Sequence, residues 1–195
     1  MNNNQLPLDL FWHGPLSNWS PSPFFATSMD GVPRKFVHGE QWMMSAKALL
    51  FDDLNTLNLI LDKSDPKVIK DLGKIVKPFN KITWDAHARN LVYIGLCQKF
   101  QQNGRHWEVL FSTKGVLVEA SPYDRIWGIG LGAEHPDAYN PQKWLGTNWL
   151  GNVLMAVRSD LTACTDLSKK YTAIFKAAKS NTHLPELYMA DPKSF

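Results

Sequence analysis

The chain has 195 residues and a mass of 22.1 kDa, enough for one ordinary domain whose core forms without disulfides or metal. With 44% hydrophobic and 20% charged residues it is neither wholesale disordered nor fibrous, and its apolar runs break at Gln or Lys short of the ~18 residues of a spanning helix. A net charge of +3 favours phosphate-bearing partners mildly and falls short of the basic stripe of a dedicated nucleic-acid binder.

Up to Glu40 the chain reads as loops and short strands, because Pro7, Pro15, Pro21, Pro23 and Pro33 break helices and Met29-Asp30-Gly31-Val32 suits a turn. This opening carries Phe11, Trp12, Asn18, Trp19, Phe24 and Phe25, and its rings either anchor the loop or shape a site. Glu40 to Asp53 is a run of helix formers without Gly or Pro, the first expected helix. Asp65-Pro66 offers an N-cap with proline at the first helical position and Gly73 a stop, so Lys67 to Leu72 is a short helix. Thr83 is expected to cap a longer one, in which Trp84, Ala88, Leu91, Val92, Gly95 and Phe100 recur at helical spacing before Gly104.

His106 to Phe111 is a further brief helix, and Val116 to Ala120 a β-branched strand ending at Ser121-Pro122. Residues 121–139 read as a loop rich in Gly and Pro. A helix from Pro141 through Arg158 is expected next, with Trp144, Leu145, Trp149, Leu150, Val153, Leu154 and Val157 on its apolar face. A weaker helix from Asp166 to Lys179 precedes a polar end containing Pro185 and Pro192.

Cys97 and Cys164 are far apart with no CxxC spacing, which reads as reduced, buried thiols. The start Met1-Asn2-Asn3-Asn4-Gln5-Leu6 has neither the basic beginning nor the long apolar stretch of a signal peptide, so the expected compartment is cytoplasmic. The six histidines are scattered without metal-ligand spacing, and no Walker A, HExxH or GxSxG signature occurs, so neither metal nor cofactor is expected. Gly128-Ile129-Gly130-Leu131-Gly132 lacks the spacing of a dinucleotide fingerprint; its glycines either turn a loop or offer backbone N–H groups to a phosphate.

Two constellations carry possible chemistry. Glu40 and Lys47 stand seven residues apart, so a helix projects an acid and an amine from one face, with Met43 and Met44 between them. That apolar shielding would raise a carboxylate pKa or depress a lysine. The second is the strand end Glu119-Ala120-Ser121-Pro122-Tyr123-Asp124-Arg125-Ile126-Trp127, which delivers Ser121, Asp124, Arg125 and Trp127 into the glycine-rich loop. Asp124 also reads as a turn cap with Arg125 as its ion-pair partner.

Several stretches in order resemble the NADAR family, also called YbiA-like. They are Phe11-Trp12-x-Gly14-Pro15-Leu16-Ser17-Asn18-Trp19, Glu40-Gln41-Trp42-Met43-Met44-x-x-Lys47-Ala48, Asp65-Pro66-x-x-Ile69-Lys70-x-Leu72-Gly73 and Ser121-Pro122-x-Asp124-x-x-Trp127-Gly128-Ile129-Gly130. Trp84-Asp85, Lys99-Phe100 and Trp144-x-Gly146-x-Asn148-x-Leu150-Gly151 extend the match, which runs from Phe11 to Arg158, while Lys74 stands where arginine is usual. The resemblance implies a compact, mostly helical α+β domain with short strands over residues 1–158, leaving residues 159–195 as a helical extension. It also implies an N-glycosidase that hydrolyses a ribose C1–nitrogen bond, on ADP-ribosylated guanine or on phosphorylated ribosyl intermediates of riboflavin synthesis.

Carried onto this chain, the resemblance gives Glu40, Lys47 and Asp124 as catalytic positions, with Trp12, Ser17, Asn18, Trp84, Arg125, Trp127 and Gly128 as substrate contacts. Cleavage passes through an oxocarbenium-like state, for which a carboxylate and a proton donor suffice. Glu40 would contact the ribose or activate water, with Asp124 as the second carboxylate; alternatively Lys47 attacks C1 and forms an imine with the opened sugar. Trp12, Trp84 and Trp127 would stack on a flat ring, and Lys47, Arg125 and Lys143 would meet phosphates. The expected partner is an ADP-ribosyl or phosphoribosyl small molecule, or ADP-ribosylated nucleic acid, and not a membrane. A non-catalytic module that binds ADP-ribose in the same aromatic pocket is the alternative.

Overall fold

A computed structural model describes residues 7–163 and 166–184. Cys164 and the polar segment from Pro185 onward lie outside the described residues. The opening segment supplies β1 (Leu8–Phe11), β2 (Phe24–Thr27) and β3 (Pro33–Phe36). The chain then runs through α1 (Gly39–Leu50), α2 (Leu54–Leu61), α3 (Pro66–Lys74), α4 (Lys81–Gln102), α5 (Gly104–Ser112), β4 (Val116–Glu119), α6 (Trp149–Thr162) and α7 (Ser168–Ser180). The fold is therefore α+β and mostly helical, with strands of four residues.

Strand β1 pairs in parallel with β4, Leu8 opposite Val116 and Phe11 opposite Glu119, while β2 and β3 form an antiparallel hairpin with Phe24 opposite Phe36. Gly31 takes φ +86° in the hairpin turn, a left-handed conformation that favours glycine. Helix α4 runs through the core and packs against α1 and α6, which is why its buried positions go all round rather than along one stripe. Its approach to α1 is close at Gly95, where a Cβ would stand 2.2 Å from Cδ1 of Trp42. The Trp42 indole N–H is satisfied there by the Leu91 carbonyl at 2.8 Å.

Caps fix the helix starts that bear on the site. Asp65 accepts from the backbone N–H groups of Lys67 and Val68 at 2.8 and 3.0 Å, with Pro66 as the first helical residue of α3. His38 Nδ1 accepts from the Gln41 N–H at 3.1 Å and starts α1 one residue before Glu40 enters its first turn. Helix α4 begins earlier than expected: Asn80, not Thr83, is its cap, accepting from the Thr83 N–H at 3.1 Å. Gly104 follows the last turn of α4, which ends at Gln102 and is capped by Asn103, and it also opens α5.

The helix expected from Pro141 through Arg158 forms in two pieces, a 3-10 turn over Pro141–Lys143 and then α6. Between them Asn148 takes φ +51° and Gly146 lies where a Cβ would meet the Gly128 carbonyl oxygen at 2.3 Å. Asn148 earns this conformation by extending β4: its side chain accepts from the Glu119 N–H at 2.9 Å and donates to the Leu117 carbonyl at 2.8 Å. Position 158 falls inside α6. Helix α7 joins the main core through Leu167, Ile174 and Ala178, and the Tyr93 hydroxyl donates to Asp160 of α6 at 2.5 Å beside Tyr171 of α7.

Candidate active site

Six segments converge on one cleft: the loop before β2, one face of α1, the second half of α3, the start of α4, the end of β4 with the turn that follows it, and the start of α6. Its inner lobe, about 220 Å³, is lined by Asn18, Trp19, Glu40, Met43, Met44, Lys47, Lys70, Gly73, Lys74, Trp84, Glu119, Asp124, Ile126, Trp127 and Leu150. An outer lobe of about 320 Å³ shares Trp19, Lys70, Glu119 and Asp124 with it and adds Trp12, His13, Ser17, Ser121 and Tyr123.

Glu40 is buried in the first turn of α1, its backbone N–H held by the Asn18 carbonyl at 2.9 Å. Burial pushes its carboxyl up to about 7, opposed by Lys70 and by a hydrogen bond from the Trp19 side chain. Its Oε1 has no protein partner. On the same face, Lys47 Nζ donates to the Gly73 carbonyl at 2.7 Å and lies 4.1 Å from the centre of the Phe79 ring. Burial draws the Lys47 amine below the usual lysine range.

Asp124 is the ionised member. Its Oδ1 accepts from the Ile126 and Trp127 N–H groups at 2.9 and 2.8 Å, and its Oδ2 lies 3.2 Å from Lys70 Nζ. These bonds outweigh burial and hold it below the ordinary carboxylate range. Asp124 is thus both the turn cap and a wall of the cleft, and its cation is Lys70 rather than Arg125.

Glu119 is the strongest addition the structure makes. It ends β4 with its side chain turned into both lobes, and its Oε2 has no protein partner. Burial, then the nearby Asp124 and Glu40 charges, push its carboxyl up to about 8. Lys70 stands amid these three acids, which together hold its amine above the usual lysine range despite burial. Among the described residues no group of His, Cys, Asp or Glu is arranged to hold a metal ion.

The remaining expected positions divide. Trp84 and Trp127 wall the inner lobe, with Trp127 edge-on to Trp149 at 5.6 Å. Asn18 lines the inner lobe with its Oδ1 unpartnered, while Trp12 and Ser17 line the outer one. Arg125, exposed, is not a wall of either lobe; its Cγ packs where a Gly130 Cβ would stand. Gly128 is buried behind the cleft, its missing side chain making room for the Asp124 and Glu119 carbonyl oxygens, each 2.9 Å from a Cβ there. The loop's backbone is used internally, Ile129 N–H to the Glu119 carbonyl and Gly130 N–H to that of Asp124. Lys143 pairs with Asp137 at 2.6 Å, away from the cleft.

Buried carboxyl groups whose surroundings separate their titration, set around one cation and walled by tryptophan, are the kinds of group that glycoside hydrolysis uses. A family model described as the NADAR domain matches residues 10–162. An N-glycosidase of Acanthamoeba polyphaga mimivirus is 39% identical over 160 residues, covering 82% of this chain and 91% of the viral protein. A chloroplastic riboflavin biosynthesis protein, PYRR of Zea mays, is 26% identical over 161 residues; the match covers 78% of this chain and only 24% of that longer protein. The NMR structure of the E. coli protein YbiA superposes with a TM-score of 0.63 at 25% identity, covering 82% of this chain and 87% of that one. The chain belongs to the NADAR domain family. It is a hydrolase of the N-glycosidase type.

Proposed function

We propose that the cleft hydrolyses the bond between ribose C1 and a ring or exocyclic nitrogen in a phosphorylated ribosyl compound, either ADP-ribosylated guanine or a phosphoribosyl precursor of riboflavin. The observation that carries this reading is the separation of the acids: Asp124 ionised, Glu40 raised to about 7 and Glu119 raised to about 8 around Lys70. Near neutral pH such a set holds a fixed anion, a base and an acid together.

In this reading the C1–N bond breaks with its electron pair going to nitrogen, and Glu119, the protonated carboxyl that reaches both lobes, gives its proton to that nitrogen. The Asp124 carboxylate stabilises the positive charge that develops on the sugar. Water adds to C1 and gives its proton to Glu40, and solvent exchange restores both carboxyl groups. Asn18 positions the sugar through its free amide oxygen, Trp84 and Trp127 close the inner lobe, and Lys47 and Lys74 meet the anionic end of the substrate. Trp12 and Ser17 line the way to the leaving group, whereas Gly128 and Arg125 shape the loop that carries Asp124. The working unit runs through α7, whose packing on α4 and whose ion pair from Lys170 to Asp160 of α6 support the core behind the cleft.

A second reading is supported by the same wall: the Lys47 amine, depressed by burial, attacks C1 as the C1–N bond breaks with its electron pair going to the leaving nitrogen, which takes a proton from Glu119. The added amine gives one proton to Glu40, its remaining proton passes to the ring oxygen as the sugar opens to an imine, and water hydrolyses the imine to free the sugar and Lys47. Borohydride added during turnover separates the two, since a trapped adduct on Lys47 is expected only from the imine route. The reaction itself is tested by incubating the protein with ADP-ribosylated guanosine and with a ribosylaminopyrimidine phosphate and following free base by chromatography. Release from at least one is expected. Binding of ADP-ribose without release from either would instead make the domain a reader.

A further inference from the structure

The two lobes differ in kind. The inner lobe adds Lys47 and Lys74 to the shared Lys70. The outer lobe has no lysine or arginine beyond Lys70, and it meets solvent through rings, with Trp12 39% and Tyr123 87% exposed. Trp12 stacks on His13 at 4.4 Å between ring centres and stands tilted at 5.9 Å from Tyr123.

We infer that the outer lobe is a separate subsite for the planar nitrogenous leaving group, which stacks against Trp12 and Tyr123 while the phosphorylated sugar occupies the inner lobe. This deepens the N-ribosyl reading above and rests on it. Ligand pockets usually enclose about 300–1,000 Å³, so the inner lobe alone is too small for a nucleoside together with its phosphate. A phosphate seeks cations, which the inner lobe supplies, and a flat ring seeks π faces, which the outer lobe supplies. The scissile bond then falls at the junction, where Glu119 and Asp124 reach both lobes. Because Tyr123 stands almost free in solvent, the far edge of the bound ring is open. The subsite therefore selects a flat heterocycle and tolerates what hangs from it, such as the sugar of a nucleoside.

The test is calorimetric titration of guanosine and of ribose 5-phosphate into the wild type, Trp12→Ala, Tyr123→Ala and Lys74→Ala. Trp12→Ala is expected to weaken guanosine about 10-fold, the effect of removing a base-stacking ring, and to leave ribose 5-phosphate unchanged. Tyr123→Ala is expected to act in the same direction, and Lys74→Ala to weaken ribose 5-phosphate alone. The inference is overturned by guanosine that fails to bind the wild type, that binds all variants equally, or that weakens in step with ribose 5-phosphate. The titrations need no turnover, so a failure of the hydrolytic reading registers separately, in the base-release assay.

Discussion

Lys70 Nζ lies 3.2 Å from Asp124 Oδ2, bringing the middle of α3 against the turn after β4 across the mouth of the cleft. The pair is half exposed, 43% and 22% at the two side chains, so its worth for stability is small. Its electrostatic effect on the acids is not. Lys70→Met is expected to lower kcat by about 10²-fold, the usual scale for losing one preorganised charge. It should also move the pH optimum upward, because Lys70 lowers Glu40, Glu119 and Asp124 alike. Steady-state kinetics across pH check both effects.

The acids also set the shape of the rate profile. A base that must be ionised and an acid that must be protonated give a bell-shaped kcat/KM. The limbs should lie close together, since the proposed base, Glu40, is pushed to about 7 and the proposed acid, Glu119, to about 8. A broad plateau from weakly acidic to strongly alkaline pH would remove Glu119 as proton donor.

Stability carries the same signature. A carboxyl with a higher pKa folded than unfolded stabilises the fold fully below its unfolded value, and that contribution is lost as pH rises through the folded value. For Glu40 and Glu119 the loss extends to about 7 and about 8. Lys99, pushed down to about 7 by burial, works oppositely, adding stability as pH climbs from there toward the ordinary lysine range. The wild-type curve sums these, so variants are needed to separate them. Glu119→Gln should raise Tm relative to wild type more at about pH 9 than at about pH 5, by about 2–4 °C for each kcal/mol regained. A difference independent of pH would show that Glu119 is not held protonated.

Lys99 also has a local task. Wholly buried in α4, it donates to the Ser17 carbonyl at 2.8 Å. The next residues of that loop supply the Asn18 carbonyl to the Glu40 N–H and the Trp19 side chain to the Glu40 carboxylate. Lys99→Met should release the loop, lowering kcat by about 10-fold through misplacement of Glu40. Loss of the Trp19 bond, which lowers the Glu40 pKa, should move the acid limb of the rate profile upward. Unchanged kinetics would confine Lys99 to the core.

Helix packing gives a prediction away from the chemistry. A methyl at position 95 would stand 2.2 Å from the Trp42 ring, so Gly95→Ala should destabilise by about 2 kcal/mol or more through overpacking, despite alanine's better helix propensity. Thermal unfolding should show Tm lowered by roughly 4–8 °C.

Much of this architecture is legible in the sequence where local chemistry is strong. The Asp65-Pro66 start of α3, the uninterrupted α1 and the β-branched β4 follow from caps, propensity and period. Helix α2 is not legible, because eight residues containing Asn55 and Asn58 give weak propensity and too short a period. The helix expected from Pro141 follows an apolar period that runs on through Trp144 and Leu145, yet Gly146 and Asn148 serve β4 and the Asp124 turn instead.

The cleft divides the same way. Glu40 and Lys47 are visible as an acid and an amine on one helix face, and Asp124 as a strand-end carboxylate. Lys70 stands in the sequence only within the Asp65-to-Gly73 stretch, with no role assigned; it faces the cleft because Gly73 lets α3 close on Met44 of α1, with Ile69 buried beneath. Glu119 heads the strand-end constellation with no role assigned in the sequence, and the chain folds back over it, bringing the Ile129 N–H to its carbonyl. One signal was available: a carboxylate directly after Val116-Leu117-Val118, all fully buried, is costly unless used.

The measurement closest to the central claim is turnover of Glu40→Gln on whichever ribosyl substrate the wild type cleaves, with Tm recorded on the same preparation. Loss of base release by about 10²–10⁴-fold, with Tm equal to or above wild type, is the predicted result. Turnover near the wild-type rate in a folded Glu40→Gln protein would contradict it and move the chemistry out of this cleft's Glu40.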